Sequence, residues 1–392
     1  MRADTIETTT GRERQETVMR RSDRLRESLA ESDLDVLVLT SPEAVDYATG
    51  YRSVFGSLHQ GYPMAAVVTT EQAFLVCPAA DAAAAIDAGV AIDDLMTHGT
   101  FHVTGAESVS GERSSRSLAA AVSDLLKSLS GRRVGTEGWL AETGQLRAVL
   151  PDVVDANAWM MQVRSVKLRP EQQLLRRAAN IAEAAIDAAL GVAEPGIEER
   201  DLARVVAETM IAGGGDPRYI VVTTGQRSAL ADAPAGSTTC QPGDLLRLDV
   251  GCQVDGYWSD IARTAVLVEP TDEQERRYAA LLEGLDAEIA LANAGVRSGE
   301  LFDRAVETVE RCGLAPYRRH HVGHAIGLSV YEHPVVAQGA DTPLRCGGVF
   351  SLETPYYELG WGGMMIEDTG VVTEAGFDLF TSLDRSLRVV GA

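Results

Sequence analysis

The stretch Leu248-Asp249-Val250-Gly251-Cys252-Gln253-Val254-Asp255-Gly256-Tyr257-Trp258-Ser259-Asp260 reads as two strands folded back on each other. Asp-Gly between apolar runs is a strong hairpin signal, because both central residues of such a turn need positive φ. With Asp255-Gly256 as the turn, Asp249 faces Ala262 and Asp260 faces Gly251. Side chains alternate along a strand, so these four positions share one face. The two carboxylates then stand diagonally, about 7–8 Å apart. That is too far for a hydrogen bond and suits two groups converging on ions between them. Taken alone, the hairpin is more simply read as two carboxylates facing solvent.

Working outward, His320-His321-Val322-Gly323-His324 and Tyr331-Glu332-His333-Pro334 place four of the seven histidines in a short segment, among glycines that allow close backbone approach. A lone buried histidine is usually a hydrogen-bonded core residue; a cluster points to a site. Phe350-Ser351-Leu352-Glu353 and Met364-Met365-Ile366-Glu367 each set a carboxylate in a strand-like apolar run. Carboxylates are seldom buried unless paired or bound to metal. Glu353 has a plainer alternative, an ion pair with an arginine, and Glu367 or Asp368 could cap an exposed turn. Together the segments offer four carboxylates and one imidazole, a donor set suited to Mn, Fe, Co or Zn.

The order and spacing of these residues resemble the pita-bread metallohydrolase family of methionine aminopeptidase, aminopeptidase P, prolidase and the metal-free creatinase. The resemblance spans roughly residues 165–390, with a looser likeness of the N-terminal half to the prolidase, aminopeptidase P and creatinase branch. It implies an α/β N-terminal domain (1–160) followed by an α+β pita-bread catalytic domain (165–392). It also implies two divalent metal ions, Mn²⁺ first and Co²⁺, Zn²⁺ or Fe²⁺ next. Asp260 and Glu367 would bridge them, Asp249 would hold one, and His324 with Glu353 the other. In that family the ions activate water for attack on an amide carbon, and Glu353 would carry its proton to the leaving nitrogen. A homodimer and a small peptide or amide-like substrate follow from the same likeness.

Three positions depart from the family pattern. Asp232, Tyr331 and Met365 stand where prolidases and aminopeptidases P carry His, His and Arg. His320 and Tyr357 are kept. His320 and Tyr331 are therefore expected beside Glu353 in catalysis, and Asp232, His333 and Tyr357 in substrate binding. An aspartate in that shell suits a cationic group such as a free amine. The leading expectation is a metal-dependent hydrolase of a C–N bond, Xaa-Pro dipeptidase-like, with a rebuilt substrate shell. A creatinase-like or lyase-type small-metabolite enzyme is the alternative, and a non-catalytic binding module the third reading.

The rest of the chain sets the frame. Its 392 residues fit two domains, and 45% hydrophobic residues suffice for packed cores. A formal charge of −22 repels nucleic acid and anionic lipid. No apolar run is long enough for a membrane span, and the charged start, Met1 to Arg21, lacks the apolar core of a signal peptide. Five scattered cysteines without a CxxC pair suggest reduced core thiols in a cytoplasmic protein.

Local signals predict helices over 11–31, 79–88, 115–129, 140–150, 171–192, 198–211, 271–293 and 299–311. They predict strands over 35–40, 65–70, 73–78, 133–138, 219–224, 244–250, 257–268, 348–353 and 364–367. Residues 1–10 are expected to be loose and Arg164–Pro170 a connector. Tyr51 and Arg52 are candidates for reaching a neighbouring pocket, though ordinary surface positions account for them more simply.

Overall fold

The structure, a computed structural model, describes residues 11–58, 61–102, 114–127, 132–138, 144–150 and 152–392. The readings for residues 1–10, for the end of the 115–129 helix and for the start of the 140–150 helix lie outside these. The chain divides at Arg164/Ser165 into two compact units.

The first unit is a mixed sheet with helices. Its strands are β1 (Val36–Leu39), β2 (Ala65–Thr69), β3 (Ala73–Pro78), β4 (Leu95–His98), β5 (Ser114–Ser115), β6 (Val134–Glu137) and β7 (Val153–Asp155), ordered β5-β4-β3-β2-β1-β6-β7. β1, β2 and β3 pair antiparallel and the flanking strands pair parallel. Helices α1 (Gly11–Ala30), α2 (Pro42–Thr49), α3 (Val54–Leu58), α4 (Ala82–Asp87), α5 (Leu118–Lys127), α6 (Gly144–Val149) and α7 (Asn157–Ser165) accompany them. Tyr51 and Arg52 turn inward instead of outward. The Tyr51 hydroxyl donates to Asp81 at 2.7 Å, and Arg52 lies 3.3 Å from the Asp46 carboxylate.

The expected connector at 164–170 shrinks to three residues, because α8 (Arg169–Val192) begins at Arg169. Proline is tolerated in a first helical turn, where its missing N–H would be unbonded anyway. Glu171 accepts from Leu168 N at 2.7 Å and closes the helix start. α9 (Glu199–Ala212) follows, then β8 (Asp216–Thr224) and β9 (Leu245–Val254). The Asp255-Gly256 turn has φ values of 46° and 87°, as a two-residue hairpin requires. Its register pairs Val254 with Tyr257 and Asp249 with Ala262, as read from sequence.

The single strand expected at 257–268 is broken into β10 (Tyr257–Trp258) and β11 (Ile261–Leu267). The Ser259 hydroxyl accepts from Cys252 N at 3.0 Å and bends the chain there. α10 (Asp272–Leu291) and α11 (Ser298–Arg311) come next, then β12 (Gly323–Ala325), β13 (Glu332–Val335), β14 (Val349–Glu353), β15 (Tyr356–Glu358), β16 (Gly362–Met364), β17 (Glu367–Thr373), β18 (Gly376–Leu379) and β19 (Arg388–Val390). The single strand expected over 364–367 is interrupted: Met364 ends β16, Glu367 begins β17, and Met365 and Ile366 lie between them. Met365 leaves the ladder there to bond Thr264, whose Oγ1 accepts from its N–H at 2.8 Å.

The main path of the larger sheet is β10-β9-β11-β17-β14-β12-β13, paired antiparallel throughout. α10 and α11 bury Leu281, Leu285 and Leu301 against Phe350, Leu352 and Ile366. Of the five cysteines, Cys77, Cys240 and Cys252 are buried, while Cys312 and Cys346 are exposed and so are not the core thiols expected.

Glu288 of α10 is fully buried, and neither carboxylate oxygen has a hydrogen-bond partner among the described residues. Burial, and then the charge of Glu353, push its carboxyl well above the usual 4.5. Below that pH, folded and unfolded chains both carry the proton. Above it the unfolded chain releases the proton first, so stability falls as pH rises. Glu288→Met keeps the volume and removes the carboxyl. It should raise the thermal midpoint more at pH 8 than at pH 5, equivalent to about 1–3 kcal/mol at the higher pH. Calorimetry at both pH values checks this; an equal change at the two would contradict it.

Candidate metal centre

Antiparallel pairing lines up residues from strands that are far apart in sequence. Asp249 on β9 pairs with Ala262 on β11, Ala262 with Glu367 on β17, and Glu367 with Glu353 on β14. Paired residues share a face, so three carboxylates lie in one row across four strands. Two residues along, Ser351 of β14 pairs with both Thr369 and His324. The Ser351 and Thr369 hydroxyls bond each other at 2.9 Å, and Thr369 Oγ1 donates to Asp260 O at 2.8 Å. These small side chains leave room above them for Asp260 and His324 to meet. His324 Nε2 lies 3.4 Å from Asp260 Oδ2. Donor atoms of Asp260, His324 and Glu367 all lie within 4.8 Å of one another, and all three residues are buried.

The electrostatics of this cluster are those of anions short of cations. Burial, then Asp260, lift Asp249 to about 8, against the pull of Arg247. Glu367 is pushed well above its usual range by burial and then Asp260. Its buried Oε2 has no partner among the described residues. For Glu353, burial works upward, but His321, whose Nδ1 is 2.8 Å from Oε1, pulls it down. The arginine partner considered for Glu353 is thus a histidine. Burial opposes the charged form of His324, yet Asp260 raises it. Glu367 and Asp368 are both buried, so neither caps an exposed turn. Asp368 accepts from Arg263 at 2.6 Å. An oxygen-rich set with one imidazole and an orphaned buried carboxylate oxygen fits divalent ions.

The surrounding residues fall into place unevenly. The Tyr331 ring stacks on His324 with centroids 3.9 Å apart. Burial, then Glu353 and Asp260, push its phenol up, so it stays a donor. His320 is exposed and meets His321 edge-on at 4.1 Å. Asp232 is exposed and close enough to raise Asp249. The Tyr357 hydroxyl lies 3.5 Å from Met365 Sδ. His333 is exposed, 3.4 Å from Thr342 Oγ1, and no bond or ring contact ties it to the cluster among the described residues.

Four residues of the site were not singled out from sequence as site residues. Tyr219 on β8 pairs with Gly251, and its hydroxyl bonds Asp260. A Cβ at Gly251 would strike the Tyr219 ring, so the in-strand glycine was the available signal. Arg247 is fully buried, 3.3 Å from Asp249, and bonds Ser228 O, Leu230 O and Ala231 O. It thereby fixes the loop leading to Asp232. His321 holds Glu353, and Arg319 lies over Tyr357, 5.5 Å from its ring centroid.

Comparison with known proteins places this geometry. The profile of metallopeptidase family M24 matches residues 173–374, just over half of the 392 residues. That of the creatinase/prolidase N-terminal domain matches residues 21–166. The chain is 28% identical over 377 residues to an Xaa-Pro dipeptidase of Lactobacillus helveticus, covering 94% of this chain and 98% of that protein. It is 33% identical over 227 residues to an Xaa-Pro dipeptidase of Pyrococcus furiosus, covering 57% of this chain and 65% of that one. The solved Xaa-Pro dipeptidase of Bacillus anthracis superposes with a TM-score of 0.80 at 24% identity, over 95% of this chain and 100% of that one; at that identity it speaks to the fold.

Asp249, lifted to about 8, favours its protonated form near neutrality when no cation is present, and Glu367 is pushed in the same direction. Binding of a divalent ion should therefore release about one proton or more per chain at pH 7. Calorimetric titration of chelator-treated protein with Mn²⁺, in two buffers of different ionisation enthalpy, measures this. Binding heats that do not depend on the buffer would contradict it.

Proposed function

The chain belongs to metallopeptidase family M24, and from that premise we propose that it hydrolyses Xaa-Pro dipeptides or close analogues, at a site whose outer shell is rebuilt. The observation that carries this is the row of Asp249, Glu367 and Glu353, with Asp260 and His324 beside it. The Xaa-Pro dipeptidase relatives support the substrate class. Two divalent ions, manganese first and cobalt, zinc or iron next, held by Asp249, Asp260, His324, Glu353 and Glu367, would supply Lewis-acid activation of water and of the scissile carbonyl.

The chain's own groups do the rest. Glu353 takes the proton of the attacking water and returns it to the leaving nitrogen. The neutral Tyr331 phenol donates to the oxyanion that develops on the carbonyl. Burial, His321 and Arg319 lower the pKa of His320, so it offers a neutral imidazole N–H. Asp232, an exposed carboxyl group beside an acidic site, suits the substrate's ammonium and not an oxyanion, which leaves oxyanion binding to Tyr331 and His320. Tyr357 lines the substrate's path, whereas His333, turned toward Thr342, takes no part in it. We further propose a cytoplasmic homodimer; among the described residues no helix is long and apolar enough to cross a membrane.

Mn²⁺-loaded protein should cleave dipeptides such as alanyl-proline. Glu353→Gln should lower kcat by about 10²–10⁴-fold, and Tyr331→Phe by about 10–100-fold. Steady-state kinetics on a panel of Xaa-Pro dipeptides and small amides tests the proposal. A metal-replete protein silent on every member of both panels would overturn it.

A further inference from the structure

Arg319, at the edge of an acidic site, forms no ion pair among the described residues. Four other arginines of this unit are engaged: Arg263 with Asp368, Arg277 with Glu358, Arg227 with Glu199 and Arg247 with Asp249. Arg319 makes no hydrogen bond or ion pair among the described residues, and its Nε is buried without an acceptor. Glu353 feels its charge but is not bonded to it among the described residues; the Glu353 carboxylate lies 2.8 Å from His321 Nδ1 instead. A buried guanidinium nitrogen left unbonded is costly, so the position favours an arriving acceptor.

The geometry says what kind. The Arg319 guanidinium carbon lies 5.5 Å from the Tyr357 ring centroid. A stacked guanidinium uses its face and keeps its N–H fork free for a planar, bidentate anion, and a carboxylate fits that fork. Met365, beside the Tyr357 hydroxyl, brings sulfur and no charge. Arg247, 5.2 Å from the same ring centroid, is committed to three carbonyls and Asp249. Arg319, over that ring with a buried unbonded nitrogen, is the cation placed to meet a substrate anion there. Asp232, close enough to act on Asp249, is suited to an ammonium. A molecule that presents both charges on either side of one peptide bond is a dipeptide.

We propose that Arg319, stacked on Tyr357, receives the substrate's C-terminal carboxylate and restricts the site to dipeptides. This rests on the peptide-hydrolysis reading above, and the experiment separates the two. Metal-loaded wild type, Arg319→Ala and Arg319→Lys are assayed on alanyl-proline and on alanyl-prolinamide. The same proteins are titrated calorimetrically with the non-hydrolysable reduced-bond analogues of both.

Wild type should prefer the acid over the amide at least tenfold in KM and in binding. In Arg319→Ala that preference should fall to within about twofold of unity, with kcat on the acid changed much less than KM, and Arg319→Lys should restore part of it. Acid preference in binding that Arg319→Ala abolishes, without turnover of either substrate by wild type, would support the carboxylate role and sink the hydrolysis reading. Turnover with an acid preference that Arg319→Ala leaves intact, or with none in wild type, would overturn the Arg319 proposal and leave hydrolysis standing. Neither turnover nor acid preference would overturn both.

Discussion

Carboxylates gathered out of water repel one another, so they take up protons, pair with basic side chains or bind cations. Asp249, Asp260, Glu353 and Glu367 converge on one face of a sheet, with most of their surface removed from solvent. Arg247 reaches only Asp249, His321 only Glu353, and Glu367 keeps a buried oxygen with no partner among the described residues. Protein cations do not balance this group, and the raised carboxyls of Asp249 and Glu367 record the imbalance. Divalent ions resolve it, and a site arranged to hold them is also arranged to acidify water.

The strands that carry these groups are pinned from outside the cluster. Arg263 donates to Glu367 O at 2.7 Å and to Asp368 at 2.6 Å, which fixes the start of β17. Lys167 pairs with Glu332 at 2.8 Å in a buried setting, and Glu332 accepts from Leu328 N at 3.1 Å. That holds the loop that lays Tyr331 on His324. Glu199 accepts from Thr224 N at 3.0 Å and Gly236 N at 2.8 Å, bracketing the loop of Asp232. Buried ion pairs of this kind add little net stability, but losing one partner strands the other, so they hold loops in one arrangement. The substrate-facing residues thus ride on loops tied to a rigid sheet.

Local chemistry made much of this legible in the chain itself. Asp255-Gly256 dictated a turn type, the turn dictated a register, and the register put Asp249 and Asp260 on one face. Helix spans followed from apolar periodicity to within a few residues for α8, α9 and α11. What stayed hidden depended on tertiary partners. The break at Ser259–Asp260 needs the Cys252 bond, and the gap between β16 and β17 needs Thr264. Short strands such as β12 and β13 have no periodicity to read. Tyr219, Arg247 and Arg319 carry ordinary sequence neighbourhoods, and only β8–β9 pairing, the 228–231 carbonyls and the Tyr357 ring give them their roles. His333 was grouped with the site by proximity in sequence, whereas its strand turns it toward Thr342.

The central claim is that five side chains, four from separate strands and Asp260 from the break between β10 and β11, enclose a pair of cations. Anomalous diffraction from crystals soaked in manganese tests it directly. The account expects two peaks about 3.5 Å apart, between Asp260 and Glu367, with Asp249 on one side and His324 and Glu353 on the other. A map without anomalous density there, with Glu353 still against His321, would contradict it.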